Sequence, residues 1–220
     1  MLFRSFFRQF AVLRHFVTLE QLAKNPAVFR DPTTGAEGIN PATGNLIRGH
    51  FRPEANDPIN RLAMTLAQHW TPIVPLRDPL ATLVSAKSRA PEADAMHYVH
   101  CWVTLIEAIG PFIAAHYLPL DLLKTPEDRA TALSEVVEAA ELLSDPNAHV
   151  ARTRWALEWP KDQHNSIGVT DRKIAYANGD VRWLRGRGGL APEIDALVAQ
   201  EELFRPWLEK VGYRKLAWWT

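Results

Sequence analysis

Apolar residues along the chain recur in two periods, and the switches between them mark out the elements. Ile73-Val74-Pro75-Leu76 is a short apolar run of the kind that ends a buried strand, and Asp78-Pro79 punctuates it. Leu80, Leu83 and Val84 then follow at helical spacing, with Pro79 at a first-turn position where its missing N–H costs nothing. Leu46-Ile47-Arg48-Gly49-His50-Phe51 predicts a second short strand inside residues 25–60, which are otherwise rich in Pro, Gly, Asn and Asp and read as loop. Ile59 to Trp70 is helix-like. From His97 to His116, the residues Tyr98, Cys101, Trp102, Leu105, Ile106 and Ile109 share a helical face that Gly110-Pro111 ends or kinks. Pro126 to Leu143 is the clearest amphipathic helix, opening at Thr125 with Glu127 and Asp128 in its first turn and closed by Asp145-Pro146. Ala148 to Ile174 holds Trp155, Trp159 and His164 without a firm period, which predicts an irregular segment suited to walling an acceptor site. Pro192 to Val211 predicts a final helix.

At the other end, residues 1–17 set Arg4, Arg8 and Arg14 among Leu2, Phe3, Phe6, Phe7, Phe10, Val12, Leu13 and Phe16. The interspersed arginines rule out a signal-peptide core and predict a basic amphipathic helix. Its phenylalanine face docks on the chain's own core, lies on a membrane surface, or binds a partner.

Composition narrows the picture. At 220 residues, 47% hydrophobic and with eight tryptophans, the chain is long and apolar enough for one well-packed domain, 1–220. Its 25 basic and 25 acidic residues cancel, so no global field draws it to nucleic acid or to an anionic membrane, and any anion site must be local. No stretch reaches the ~18 apolar residues of a transmembrane helix. The single cysteine, Cys101, forms no internal disulfide, which points to a reducing, cytoplasmic setting and to a role as a small buried hydrophobe. His97, His100 and Cys101 have no second ligand cluster, so no metal site is expected. Neither a Gly-x-Ser-x-Gly elbow nor a complete Walker A loop is present.

The chemistry is concentrated at Arg77 and Ser85, eight residues apart across the strand-to-helix junction. An arginine at a strand's carboxyl end presents a planar, permanently charged fork, and a serine two turns into the next helix adds a hydroxyl. The pair suits a phosphate. A turn that simply closes the strand, with Arg77 paired to a surface carboxylate, fits the same residues. The alternation of strands and helices predicts a parallel α/β sheet, in which ligands bind outside the carboxyl ends of the strands.

Arg77, Asp78, Pro79 and Ser85 resemble the sulfotransferase family's Arg-Asp-Pro segment with its later Ser. Three further segments resemble the family in order: the strand running to His50; Tyr117-Leu118-Pro119-Leu120-Asp121-Leu122-Leu123, leading into a helix; and Arg185-Gly186-Arg187-Gly188-Gly189, closing on Gly212-Tyr213. The resemblance implies a helix-rich α/β fold with a parallel sheet flanked by helices, sulfotransferase-like and P-loop NTPase-like, in which residues 185–213 form a C-terminal Gly-rich loop and helix. It also implies the sulfuryl donor 3′-phosphoadenylyl sulfate (PAPS) and its product adenosine 3′,5′-bisphosphate (PAP). Arg77 and Ser85 would hold the 3′-phosphate, and Arg185, Gly186 and Arg187 would lie over it; a cationic surface loop is the plainer reading of the last three. His50 would be the base that takes a proton from a hydroxyl or amine of a small-molecule or glycan acceptor, a step suited to imidazoles as a class because they titrate near neutral pH. A solvent-exposed turn residue beside Gly49 is the alternative.

The family's Ser-Gly-Thr-Thr loop for the 5′-phosphosulfate has no counterpart before residues 1–17. Asp31-Pro-Thr-Thr-Gly35 and Asn40-Pro-Ala-Thr-Gly44 have the Pro and Gly placement of ordinary turns. The expectation is therefore divided between an enzyme whose donor loop lies outside this sequence or is replaced, and a catalytically degenerate sulfotransferase fold. The second would serve as a binding or structural subunit, self-associating or docking to a larger assembly through the Phe-rich helix.

Overall fold

A computed structural model describes residues 15–24, 45–67, 72–109, 115–140, 142–157 and 170–220. The Phe-rich stretch up to Arg14, the turns at Asp31–Gly35 and Asn40–Gly44, Gly110-Pro111, Trp159 and His164 lie outside the described residues.

The chain enters on β1 (His15–Thr18), which runs directly into α1 (Leu19–Lys24). This corrects the expectation of helix through residue 17. Phe16, Val17 and Thr18 are strand formers, and Thr18 ends the strand by capping the helix. Its backbone N–H donates to Gln21 Oε1 (3.0 Å) while its Oγ1 accepts from the Gln21 N–H (3.1 Å), a reciprocal capping box. Strand β2 (Asn45–Arg48) pairs with β1 in parallel, Phe16 opposite Leu46. Helix α2 (Pro58–Ala67) then lays Leu66 against Leu19 and Leu22.

The second parallel pair joins β3 (Ile73–Leu76) to β4 (His116–Pro119), Val74 opposite Tyr117. Between them run α3 (Pro79–Arg89) and α4 (Met96–Ile109). Pairing is parallel, as expected, but the described strands form two separate two-stranded sheets among ten helices. After β4 come α5 (Pro126–Ala139) and α6 (Ala148–Leu157), packed together over Leu118. The acidic opening of α5 is a second capping box, Thr125 with Asp128.

Where the sequence predicts an irregular segment from 148 to 174, the structure has α6 and then α7 (Asp171–Ala177). Helix α6 escapes periodicity because its buried residues are the small Ala148, Ala151 and Ala156, while Val150 and Leu157 face outward. The expected terminal helix is two, α9 (Ala191–Ala199) and α10 (Glu201–Lys210), preceded by the short α8 (Val181–Arg185). Gln200, at φ −105° and ψ 14°, breaks the run. Ile194, Leu197, Phe204 and Leu208 stay in phase across the break, so the apolar pattern conceals it. These four join Leu80, Leu83, Val99, Leu184 and Trp218 in the main core, which gathers α3, α4 and α7 to α10 behind the end of β3.

Candidate functional site

At the carboxyl end of β3 the chain must leave an extended conformation and start a helix within two residues. Asp78 makes that junction. Its Oδ1 accepts from the Leu80 N–H (2.9 Å), which caps α3, and from Trp218 Nε1 (3.0 Å); its Oδ2 accepts from the Tyr176 hydroxyl (2.7 Å). The residue is only 2 % exposed. Burial pushes its pKa up from the ordinary carboxyl value against these three hydrogen bonds, and the neighbouring Asp121 charge adds to the rise. Burial, reinforced by the Asp78 charge, raises the Tyr176 phenol far above its ordinary value, which keeps it a donor.

Asp121, just past the end of β4, joins the two strand exits. Its Oδ2 accepts from the Asp78 backbone N–H (2.5 Å) and from the Tyr213 hydroxyl (3.2 Å), while its Oδ1 accepts from Arg77 Nε (3.0 Å). Tyr213, like Tyr176, is driven upward by burial and then by the Asp121 charge. The plainer reading of Arg77, an arginine paired with a carboxylate, is therefore what the side chains show. The pairing engages only Nε, and the Arg77 side chain keeps 34 % of its surface exposed. Among the described residues the two terminal nitrogens of the fork have no hydrogen-bond partner.

Ser85 lies two turns along α3, half-buried, with its carbonyl accepting from Arg89 Nε (3.3 Å). The Gly-rich loop gathers at the other end of this helix. Arg172 donates from Nε to the Gly188 carbonyl (2.7 Å) and from Nη1 to the Lys87 carbonyl (3.3 Å), and Ser88 shares a hydrogen bond with Thr170 (2.9 Å). Arg187 and Arg172, with Trp183 and Asn178, line an open cavity of about 710 Å³ there. At about 1.5 Å per residue, α3 holds Arg77 and this loop some 15 Å apart along its axis. Arg185 pairs with Asp195, and Gly186 caps α8. Gly188 is forced by packing, since a Cβ there would sit 2.6 Å from the Leu184 carbonyl oxygen, and Gly189 by its φ of +67°.

His50 stands two residues past β2, exposed. The loop behind it is fixed. Asn60, almost wholly buried, accepts from the Arg52 N–H (2.8 Å) and donates to the carbonyls of Arg52 (3.1 Å) and Glu54 (2.8 Å), and Thr104 donates to the Pro53 carbonyl (2.9 Å). Gly49 is required for the close approach of α1, because a Cβ would meet Leu19 Cδ1 at 2.0 Å. Arg52 also binds Glu20 (2.9 Å). Burial works against the Glu20 charge, but hydrogen bonds from its own backbone and Thr18, with Arg52, hold its pKa below the ordinary value. Phe51, next to His50, packs on Val74 and Leu76, so this loop touches β3.

Cys101, expected to be buried, is half-buried with Sγ 3.5 Å from His97 Nε2; burial raises its thiol pKa, away from a reactive thiolate. Among the described residues no cluster of three metal-ligating side chains occurs, and no helix is long and apolar enough to cross a membrane.

The residues that sequence reasoning passed over are Tyr176 and Trp218, which buttress Asp78 from α7 and from the C-terminal tail. Asp121 and Tyr213 were visible only as parts of a resemblance. Compared with family models, curated proteins and solved structures, the chain matches none.

Proposed function

We propose that the carboxyl ends of β2 and β3 form a phosphonucleotide site of sulfotransferase type, binding PAPS or PAP. The observation that carries this reading is the Arg77 fork at the end of a parallel strand, anchored through Nε, one-third exposed, and with no hydrogen-bond partner on its terminal nitrogens among the described residues. Such an edge suits two charge-assisted hydrogen bonds to a phosphate. Arg77 and Ser85 would hold the 3′-phosphate. Arg187, near the far end of α3, would have to reach the nucleotide from its own side of the helix, with Arg185 and Gly186 shaping that loop.

PAPS, when bound, supplies the sulfuryl group. His50 would accept the proton of a small-molecule or glycan hydroxyl or amine as the new O–S or N–S bond forms and the donor's S–O(phosphate) bond breaks, releasing PAP. Its exposure on a fixed loop permits that role.

Isothermal titration of the 220-residue chain with PAP, alongside Arg77→Ala, tests the reading. Binding by the wild type that weakens at least about tenfold in the variant, ~1.4 kcal/mol, supports it. A folded wild type that takes up no PAP overturns it and leaves the second reading, a degenerate fold acting as a binding or structural subunit. What favours that alternative is that Asp78 is fully engaged by protein donors and Arg77 is already paired with Asp121 through Nε.

A further inference from the structure

We infer that Asp121 is a positioning residue for the anion site, which orients the Arg77 fork, and that Tyr213 in turn orients Asp121. The inference rests on the phosphonucleotide reading above and goes beyond it by assigning the specificity for a 3′-phosphate to a carboxylate that touches no ligand.

An arginine at a strand end has four side-chain torsions and, left alone, samples many orientations. Here the Asp121 carboxylate removes that freedom. One oxygen takes Arg77 Nε at 3.0 Å, and the other is itself fixed by the Asp78 N–H at 2.5 Å and the Tyr213 hydroxyl at 3.2 Å. Asp78 cannot shift in response, because Leu80, Tyr176 and Trp218 hold its own carboxylate. Asp121 also remains partly open, its side chain 26 % exposed, beside the 34 % exposed Arg77. The guanidinium plane is therefore set by a rigid chain of contacts running from the C-terminal tail to β4 and on to β3. A bond through Nε leaves one edge of the fork, with its two terminal nitrogens, turned away from the carboxylate. With Nε taken by Asp121, the pair of terminal nitrogens is the edge that still offers two parallel donors to a phosphate.

The sign of the effect separates positioning from simple electrostatics. A carboxylate next to an anion site repels the anion, so removing its charge by Asp121→Asn should tighten phosphate binding if charge alone matters. Positioning predicts the reverse. Asparagine keeps the shape but puts an N–H₂ where one oxygen now accepts, so either the Arg77 contact or the Asp78 contact is lost.

The test is titration of wild type, Asp121→Asn and Tyr213→Phe with two probes, PAP and adenosine 5′-monophosphate, with thermal melts to show that each variant is folded. The expected result is a loss of about fivefold to tenfold in PAP affinity for Asp121→Asn and about twofold to threefold for Tyr213→Phe, with affinity for the monophosphate unchanged. A merely structural role would weaken both nucleotides together, and that outcome overturns the inference. So does PAP binding by Asp121→Asn that equals or exceeds the wild type. Failure of the wild type itself to bind PAP removes the underlying reading and this inference with it; the other two outcomes remove the inference alone.

Discussion

The chain leaves β2 and β3 in different ways. Past β3, Arg77 and Asp78 meet side chains from three other parts of the fold, namely Asp121, Tyr176 and Trp218, and Tyr213 in turn donates to Asp121. Past β2, Gly49 and His50 are exposed, and the loop is held through the residues that follow them, by Asn60, Thr104, the Arg52–Glu20 pair and the packing of Phe51 on β3. One exit is a structural joint in which nearly every polar group is satisfied by protein. The other presents an imidazole to solvent on a loop whose backbone is pinned. Buried polar networks restrict a fold to one arrangement, whereas chemistry needs a group with capacity to spare. By that measure the β3 exit stabilises the molecule and leaves only the terminal nitrogens of Arg77 unpaired among the described residues, while the β2 exit leaves the His50 side chain exposed.

The sharpest way to break this contrast is Asp78→Ala. The substitution removes the α3 cap and leaves the buried Trp218 N–H and the Tyr176 hydroxyl without their acceptor. A lost cap costs ~1 kcal/mol and each orphaned buried donor ~1–3 kcal/mol, so even after relief of the buried charge the loss is about 3 kcal/mol. Urea unfolding monitored by tryptophan fluorescence reads it directly. A loss below about 1 kcal/mol would mean that the β3 exit is no more structural than the β2 exit.

Asn60→Ala probes the other side and should cost somewhat less, about 2 kcal/mol. Three hydrogen bonds disappear, but their backbone partners lie in a half-exposed loop that water can reach. The loop from His50 to Glu54 should lose amide protection in hydrogen exchange while β3 and α3 keep theirs. Loosening that spreads to α3 would show that the two exits form one cooperative unit through Phe51.

Much of the joint at β3 was legible in the sequence, and for local reasons. Asp-Pro at residues 78 and 79 announces a capped helix start, the apolar run before it a strand, and Leu80, Leu83 and Val84 the buried face. Thr125 with Asp128 gave the start of α5 in the same way. What the sequence concealed is non-local. Nothing near Trp218 or Tyr176 marks them as partners of Asp78, 140 and 98 positions away in the chain. The capping box at Thr18 and Gln21 was written in the sequence but overshadowed by the Phe and Arg alternation before it, which a four-residue strand interrupts. The break at Gln200 was hidden because both helices keep one apolar phase. The placement of Arg187 beside the far end of α3 depends on how α7 docks, through Arg172 and Thr170, and no spacing along the chain encodes it.

The smallest expected effect sharpens the comparison most specifically, because it belongs to one carboxyl group of the buried joint. Asp78 has its folded pKa raised above the ordinary 3.8, chiefly by burial, so the folded protein binds the proton more tightly than the unfolded chain does. The contribution of this group to stability is then fully present below the unfolded value and is lost as pH rises through the folded one. Asp78→Asn cannot titrate, and its amide can satisfy the Tyr176 oxygen as a donor while its remaining oxygen keeps the Leu80 and Trp218 contacts. Subtracting the unfolding free energy of Asp78→Asn from that of the wild type across the acid to neutral range should therefore give a difference that falls as pH rises. The exposed His50 loop contributes nothing to that difference, since both proteins share it. A difference that instead grows with pH would show that the three donors outweigh burial and hold Asp78 ionised, making the β3 exit a charged site rather than a buried joint.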